Sequence, residues 1–305
     1  MMKTDRIFEG IIVANLTPFT ADGRDIDEGA YRNHIEFMIR RGVHGLFPIG
    51  TMGEGMVLPM ALRKKAADIV IDQARDRVDV IMQVTATSTE ETIEFARYCQ
   101  DKGTHAIALV TPWFYPYDDK NLFGFFSDVA KAVAGLPVFI YNNPGRSLNK
   151  VSVKLLKELI KECDNIIGVK DSSKDMEIFQ DYNAKTPSGF RTIIGTDGMF
   201  YPALCVGASG IVTAIANSHP EIFVALWDAY HAGEHKKARE LQFTINEMRE
   251  IFKIGPYVAA YKHVIEKRGV KFGGLRKPMR DLNAEELEKF EKAYAAATYI
   301  KDWEK

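Results

Sequence analysis

The stretch NIIGVKDSS, residues 165–173, decides how this chain is read. Ile166, Ile167 and Val169 surround one glycine in a run too short for a helix and too evenly apolar for a strand with one wet face. Strands of a parallel sheet, covered on both faces, read this way. Lys170 follows at once, an amine at the mouth of a buried strand.

Seven more runs share the pattern. They are GIIVANLTPF (10–19), GLFPIG (45–50), VDVIMQV (78–84), AIALVTP (106–112), PVFIYNN (137–143), RTIIGTD (191–197) and GIVTAI (210–215). Helical periodicity fills the gaps, most clearly in STEETIEFARYCQDKG. There Ser88 is an N-cap, Glu91 sits where a capping box wants an acid, and Gly103 is a stop. Ile93, Ala96 and Cys99 share one side at helical spacing. Segments 27–41, 59–74, 120–134, 152–162 and 219–231 read alike, and the segment after strand seven, 198–206, is short. Eight strands, each followed by a helical segment, predict an α/β fold, a (β/α)8 TIM barrel over residues 1–231. An open doubly wound sheet would need a Gly-rich dinucleotide loop after its first strand, and LTPFTADG is not one. Beyond residue 231 strand signals stop. Three helical patterns predict a C-terminal helical extension, 232–305, packed on the barrel.

Bulk properties narrow the function. The 305 residues carry 40 basic and 41 acidic side chains, a net charge of −1. That balance argues against a nucleic-acid or anionic-membrane surface. No apolar run reaches the ~18 residues of a membrane span. MMKTDRIFEG has no apolar core of a signal peptide. Cys99, Cys163 and Cys205 are widely spaced and odd in number, which suits a reducing cytoplasm.

In such a barrel the chemistry gathers at the C-terminal strand ends. The sequence puts Thr17, Thr51, Thr85, Thr111, Tyr141, Lys170, Asp197 and Thr213 there. Lys170 has two readings. It reaches out to solvent, as long amines do, or it is a Schiff-base nucleophile kept neutral by apolar walls supplied by IIGV. Tyr141 is either a core aromatic or, from the neighbouring strand, a proton carrier for imine formation. GTMGEG (50–55) is a tight turn or a nest of N–H groups that with Thr51 binds a carboxylate or phosphate. Arg146 is a solvated loop charge or a bidentate carboxylate clamp. HAGEH (231–235) matches a zinc signature, but Gly233 between the histidines reads as a turn, so no metal site is expected.

Taken together these residues resemble the dihydrodipicolinate synthase / N-acetylneuraminate lyase family. The resemblance runs nearly end to end through LTPF, GTMGEG, TPWFYPY, YNNPGR, GVKDSS, GTD, GASGIVTAIAN and RKPMRDL. It implies a (β/α)8 barrel whose lysine forms a Schiff base with pyruvate or another 2-oxo acid, with no metal or organic cofactor. Carried over by position, Lys170 is the imine-forming amine and Tyr141 the proton shuttle. Thr51 and the N–H of Met52, after Gly50, hold the pyruvyl carboxylate, and Val212 offers a carbonyl near the pyruvate. Arg146 matches the arginine that holds the aldehyde's carboxylate in the synthase, and Asp197 is the strand-seven acid. A homotetramer (dimer of dimers) or a homodimer is implied, with PWFYPY as a subunit contact or pocket wall.

Departures from the family pattern shape the expected reaction. Met52 stands where synthases have a second Thr. Phe114, or Tyr115 beside it, stands where they have a Tyr from the neighbouring subunit, so two hydroxyls of a proton relay are missing. Gly198 and Ala214 replace an acid and a Ser of the sialic-acid lyases. These features favour a lyase that cleaves, condenses or dehydrates a 2-keto-3-deoxy sugar acid or similar 4-hydroxy-2-oxo acid. The alternative is a dihydrodipicolinate synthase condensing pyruvate with aspartate semialdehyde. A non-catalytic 2-oxo-acid-binding barrel and a metal-dependent aldolase are the rivals from other classes.

Overall fold

Every buried backbone N–H and C=O needs a partner, and short apolar strands with no protected edge meet that need by closing into a barrel. The computed structural model describes residues 6–304. Its eight strands pair in parallel in sequence order: β1 (Gly10–Val13), β2 (Gly45–Leu46), β3 (Asp79–Gln83), β4 (Ala106–Val110), β5 (Val138–Asn142), β6 (Ile166–Asp171), β7 (Arg191–Ile194) and β8 (Gly210–Thr213). β8 returns to pair with β1 and closes the barrel. All eight lie inside the predicted runs but are shorter, because the chain leaves the sheet early to build the loops at the strand ends.

Helices return the chain outside the barrel: α1 (Glu28–Ile39), α2 (Met60–Ala74), α3 (Thr89–Asp101), α4 (Asp119–Ala132), a single turn α5 (Pro144–Ser147), α6 (Val153–Glu162), α7 (Met176–Lys185), α8 (Phe200–Cys205) and α9 (Pro220–His231). Asp27, Ser88, Asp118, Ser152 and Asp175 cap α1, α3, α4, α6 and α7 by accepting from first-turn N–H groups. Each such cap contributes about 1 kcal/mol and fixes where its loop ends. The capping box expected on α3 forms only in part. Ser88 accepts from Glu91 N at 3.1 Å, but the Glu91 carboxylate accepts from Thr87 Oγ1 at 2.7 Å. α7 carried no clear stripe in the sequence because it buries only Phe179 and Tyr182.

The glycine in the opening stretch has a packing reason. A Cβ on Gly168 would lie 2.3 Å from a Phe139 ring carbon. Phe139 in turn meets Phe8 edge-on at 5.5 Å.

α10 (His235–Ile251), α11 (Ala259–Lys267) and α12 (Ala284–Ala296) form the extension. Leu241, Ile245, Met248, Phe252, Val264 and Phe290 join the same hydrophobic cluster as the barrel. HAGEH is a turn: His231 ends α9, His235 starts α10, and Gly233 between them has φ 76°. Among the described residues no group of three His, Cys, Asp or Glu is placed to hold a metal. None of their helices is long and apolar enough to cross a membrane.

Candidate active site

Side chains alternate along a strand, so Gly168 and Lys170 share the face toward the barrel axis while Val169 and Asp171 face the helices. Lys170 therefore cannot reach solvent past the outside of the sheet, and its residue is only 5% exposed. Its Nζ lies 3.8 Å from the centroid of the Phe47 ring and 3.9 Å from that of Tyr141. The walls are these two rings and not the neighbouring IIGV residues, which corrects the sequence expectation: the strand's alternation turns Val169 away from the amine. Burial pushes the Lys170 pKa well below its ordinary value, opposed by the nearby Asp197 carboxylate. Removing an ammonium from water disfavours its charged form.

Tyr141 and Lys170 are direct register partners across β5 and β6. The buried phenol accepts from Asn143 Nδ2 at 2.9 Å and meets Phe47 edge-on at 5.7 Å. Burial raises the Tyr141 pKa, while the side chains of Ser172, Thr51 and Asn143 lower it.

The 50–55 loop follows β2. A Cβ on Gly55 would fall 1.8 Å from Ile49 O, and one on Gly53 would fall 2.9 Å from Asn15 O. Only glycine lets the chain fold back this tightly. Glu54, at φ 57°, is buried and latches the loop to the extension. Its Oε1 stands 2.7 Å from Lys262 Nζ of α11, and its Oε2 accepts from Arg276 N at 2.8 Å. Thr51 and Met52 are thereby presented to a cavity of about 440 Å³. Gly50 is buried and forms the turn without lining that cavity.

Tyr141, Lys170, Asp197, Val212 and Arg146 line the same cavity. Asp197 is buried and its Oδ1 has no hydrogen-bond partner. Burial raises its carboxyl pKa, partly offset by Thr213, by Arg249 and by the Ala214 N–H. Arg146 is exposed on α5, its guanidinium 4.4 Å from the Tyr257 ring centroid. Phe114 and Tyr115 do not line the cavity; they are 76% and 60% exposed, with their rings 4.9 Å apart.

Four of the eight predicted strand-end residues do not line the cavity. The Thr17 hydroxyl donates to Gly53 O at 2.8 Å and that of Thr85 to Val110 O at 3.3 Å. Thr111 pairs with Ser147, and Thr213 Oγ1 accepts from Ala216 N at 3.3 Å. These hydroxyls hold loops. Conversely, the sequence reading missed Phe47, Asn143, Ser172, Arg249, Lys253, Tyr257 and Tyr261, which all line the cavity. Asn143 and Ser172 lie at the C-terminal ends of the predicted strand runs and were findable on that ground. The last four come from α10, α11 and the segment between them, and no local signal says that this segment returns to the barrel mouth.

Comparison with known proteins agrees with this geometry. The sequence profile of the dihydrodipicolinate synthetase family matches residues 7–297. An uncharacterised DapA-like lyase of Halobacterium salinarum is 36% identical over 275 residues, 90% of this chain and 89% of that one. The 4-hydroxy-tetrahydrodipicolinate synthase of Methanopyrus kandleri is 32% identical over 273 residues, 90% of this chain and 91% of that one. Among solved structures, YagE from E. coli K12, a prophage protein of this family in complex with pyruvate, superposes with a TM-score of 0.91 at 28% identity, covering 96% of this chain and 99% of that one. Dihydrodipicolinate synthase from Aquifex aeolicus gives 0.90 at 25% identity, covering 95% and 98%. The barrel and its site define a lyase of the class I aldolase type. The chain belongs to the dihydrodipicolinate synthetase family.

Proposed function

We propose that this protein is a Schiff-base-forming lyase acting on 4-hydroxy-2-oxo acids such as 2-keto-3-deoxy sugar acids, through Lys170. The observation that carries the reading is an amine between two aromatic rings, its charged form disfavoured by burial, beside a phenol from the next strand.

The 2-oxo carboxylate sits on the Thr51 hydroxyl and the Met52 N–H. The neutral Lys170 amine attacks C2, and Tyr141 passes a proton to the carbinolamine oxygen, which leaves as water. The protonated imine draws electrons from C3. Tyr141, left as the phenolate by its proton transfer, takes the proton of the C4 hydroxyl as the C3–C4 bond breaks; this releases an aldehyde and leaves an enamine, which takes a proton at C3 and is hydrolysed to pyruvate. In reverse the enamine adds to an aldehyde. Alternatively, removal of a C3 proton from the uncleaved imine gives an enamine that expels the C4 hydroxyl as water, and the reaction is then a dehydration. Binding alone requires neither a buried amine nor a paired phenol, and this argues against a non-catalytic binder.

A dihydrodipicolinate synthase reading is supported by Arg146 at the cavity and by the names of several relatives. Met52 and the exposed Phe114 weigh against it. Three free cysteines support a cytoplasmic location for this protein. The exposed Phe114 and Tyr115 support a homotetrameric or dimeric assembly.

Incubation with pyruvate and borohydride, then peptide mass spectrometry, tests the core of this reading. The expected product is a reduced adduct on Lys170, absent in Lys170→Ala. An unlabelled wild-type protein sinks it. Assays with aspartate semialdehyde plus pyruvate against 2-keto-3-deoxy sugar acids then separate the two enzyme readings.

A further inference from the structure

This inference rests on the Schiff-base reading and concerns the charged groups lining the same cavity. Arg146, Lys174, Arg249 and Lys253 line it, against Asp197 as the lining carboxylate. Lys253 pairs with Glu250, whereas among the described residues Arg146, Lys174 and Arg249 make no ion pair. A 2-oxo carboxylate held by the Thr51 hydroxyl and a backbone N–H neutralises none of these cations. A concave wall with such an excess concentrates anions.

The placement of Arg249 indicates what the excess is for. Gln242, Asn246 and Arg249 follow one another on one face of α10 at spacings of four and three residues. Gln242 pins that face to the loop after β7, donating to Asp197 O at 3.0 Å and accepting from Tyr201 N at 2.8 Å. Gly198 leaves the room that Arg249 fills. A Cβ there would lie 3.0 Å from Arg249 Nη1 and 3.2 Å from Asn246 Oδ1. Beside the guanidinium, Asp197 is 9% exposed, with Oδ1 unpartnered. A buried polar atom left unpaired is costly unless a ligand satisfies it.

We propose that the cavity takes a 2-oxo acid with a second anionic end: Arg249 receives a distal carboxylate or phosphate, and Asp197 hydrogen-bonds a hydroxyl between the two ends. Arg146, Lys174 and Lys253 add to the attraction. The missing side chain at 198 is thus not a lost sugar contact but the opening through which α10 delivers a cation.

The test compares three retro-aldol probes: 4-hydroxy-2-oxoglutarate with a distal carboxylate, 2-keto-3-deoxy-6-phosphogluconate with a distal phosphate, and 2-keto-3-deoxygluconate with a neutral end. In the wild type, KM for at least one anionic probe is expected to be about tenfold or more below that for the neutral one. Which anion is preferred identifies the source. Arg249→Ala is expected to raise KM for that probe about tenfold while leaving kcat within about threefold, and Arg249→Lys to retain part of the preference. Equal KM values across the probes in the wild type overturn the proposal. So does an unchanged preference in Arg249→Ala, or a loss confined to kcat and equal for all three, which would mark Arg249 as a support of the fold. Pyruvate trapping on the wild type separates the two readings. No adduct retires the Schiff base itself, whereas an adduct without anion preference retires only the distal site.

Discussion

Lys170 sits where an ammonium is disfavoured and an imine is not. Two ring faces within 4 Å replace its water, and a carboxylate at Asp197 is the counterweight. The sign of the pH dependence follows. The folded pKa lies below that of the unfolded chain, so the unfolded chain binds more protons between the two values, and Lys170 makes stability rise with pH through that interval. The same shift leaves a reactive amine at lower pH than a free lysine would. Asp197 raises the Lys170 pKa, so its removal lowers it further. Asp197→Asn is expected to move the acid limb of the pH profile of kcat/KM to lower pH; a move to higher pH would refute this account of the amine. The residue types at the strand ends were legible in the sequence, but their duties were not. Thr17, Thr85 and Thr111 look the same on paper as Thr51, yet their hydroxyls are spent on the backbone or on Ser147, and Thr213 serves the Ala216 N–H and the Asp197 carboxyl. A hydroxyl's role depends on which way the chain leaves the strand, and the sequence does not encode that locally.

At the scale of elements, the 50–55 loop depends on a contact more than two hundred residues away. Glu54 and Lys262 are both buried and face each other at 2.7 Å, with Lys262 also donating to Gly274 O at 3.0 Å. Burial raises the Glu54 pKa and lowers that of Lys262, with each partner opposing the shift of the other. Breaking such a pair strands a charge, at a cost of about 3–5 kcal/mol, whereas replacing both partners with apolar groups recovers much of it. Glu54→Leu and Lys262→Met singly are expected to destabilise by about that amount in urea denaturation and to weaken pyruvate binding. The double variant is expected to be more stable than either single. Additive losses would show that the pair does not act as a latch. The glycines of the loop were legible, because three in six residues announce a tight turn. The glutamate was not, because its partner lies in the extension.

At the scale of the whole molecule, barrel and extension share one core, and the extension supplies part of the cavity wall. Outside that cavity, Phe114 and Tyr115 form an exposed aromatic pair on the loop after β4, with Leu148, 69% exposed, after α5. Asn149 ties the two segments together by donating to Tyr115 O at 2.9 Å. Such a patch on a charged surface is where a second copy is expected to pack. Phe114→Asp is expected to shift sedimentation toward smaller species; an unchanged distribution would remove this patch from the assembly. By itself the sequence determined the barrel and the lysine–tyrosine pair. Both follow from local facts: apolar runs of strand length, helical periodicity between them, and two residues at matching depth on consecutive strands. Only the tertiary structure decided which rings enclose the amine, what locks the 50–55 loop and how α10 brings Arg249 to the space left by Gly198. Those contacts join segments tens to hundreds of residues apart, and their geometry arises only when the barrel has closed and the extension has packed across it.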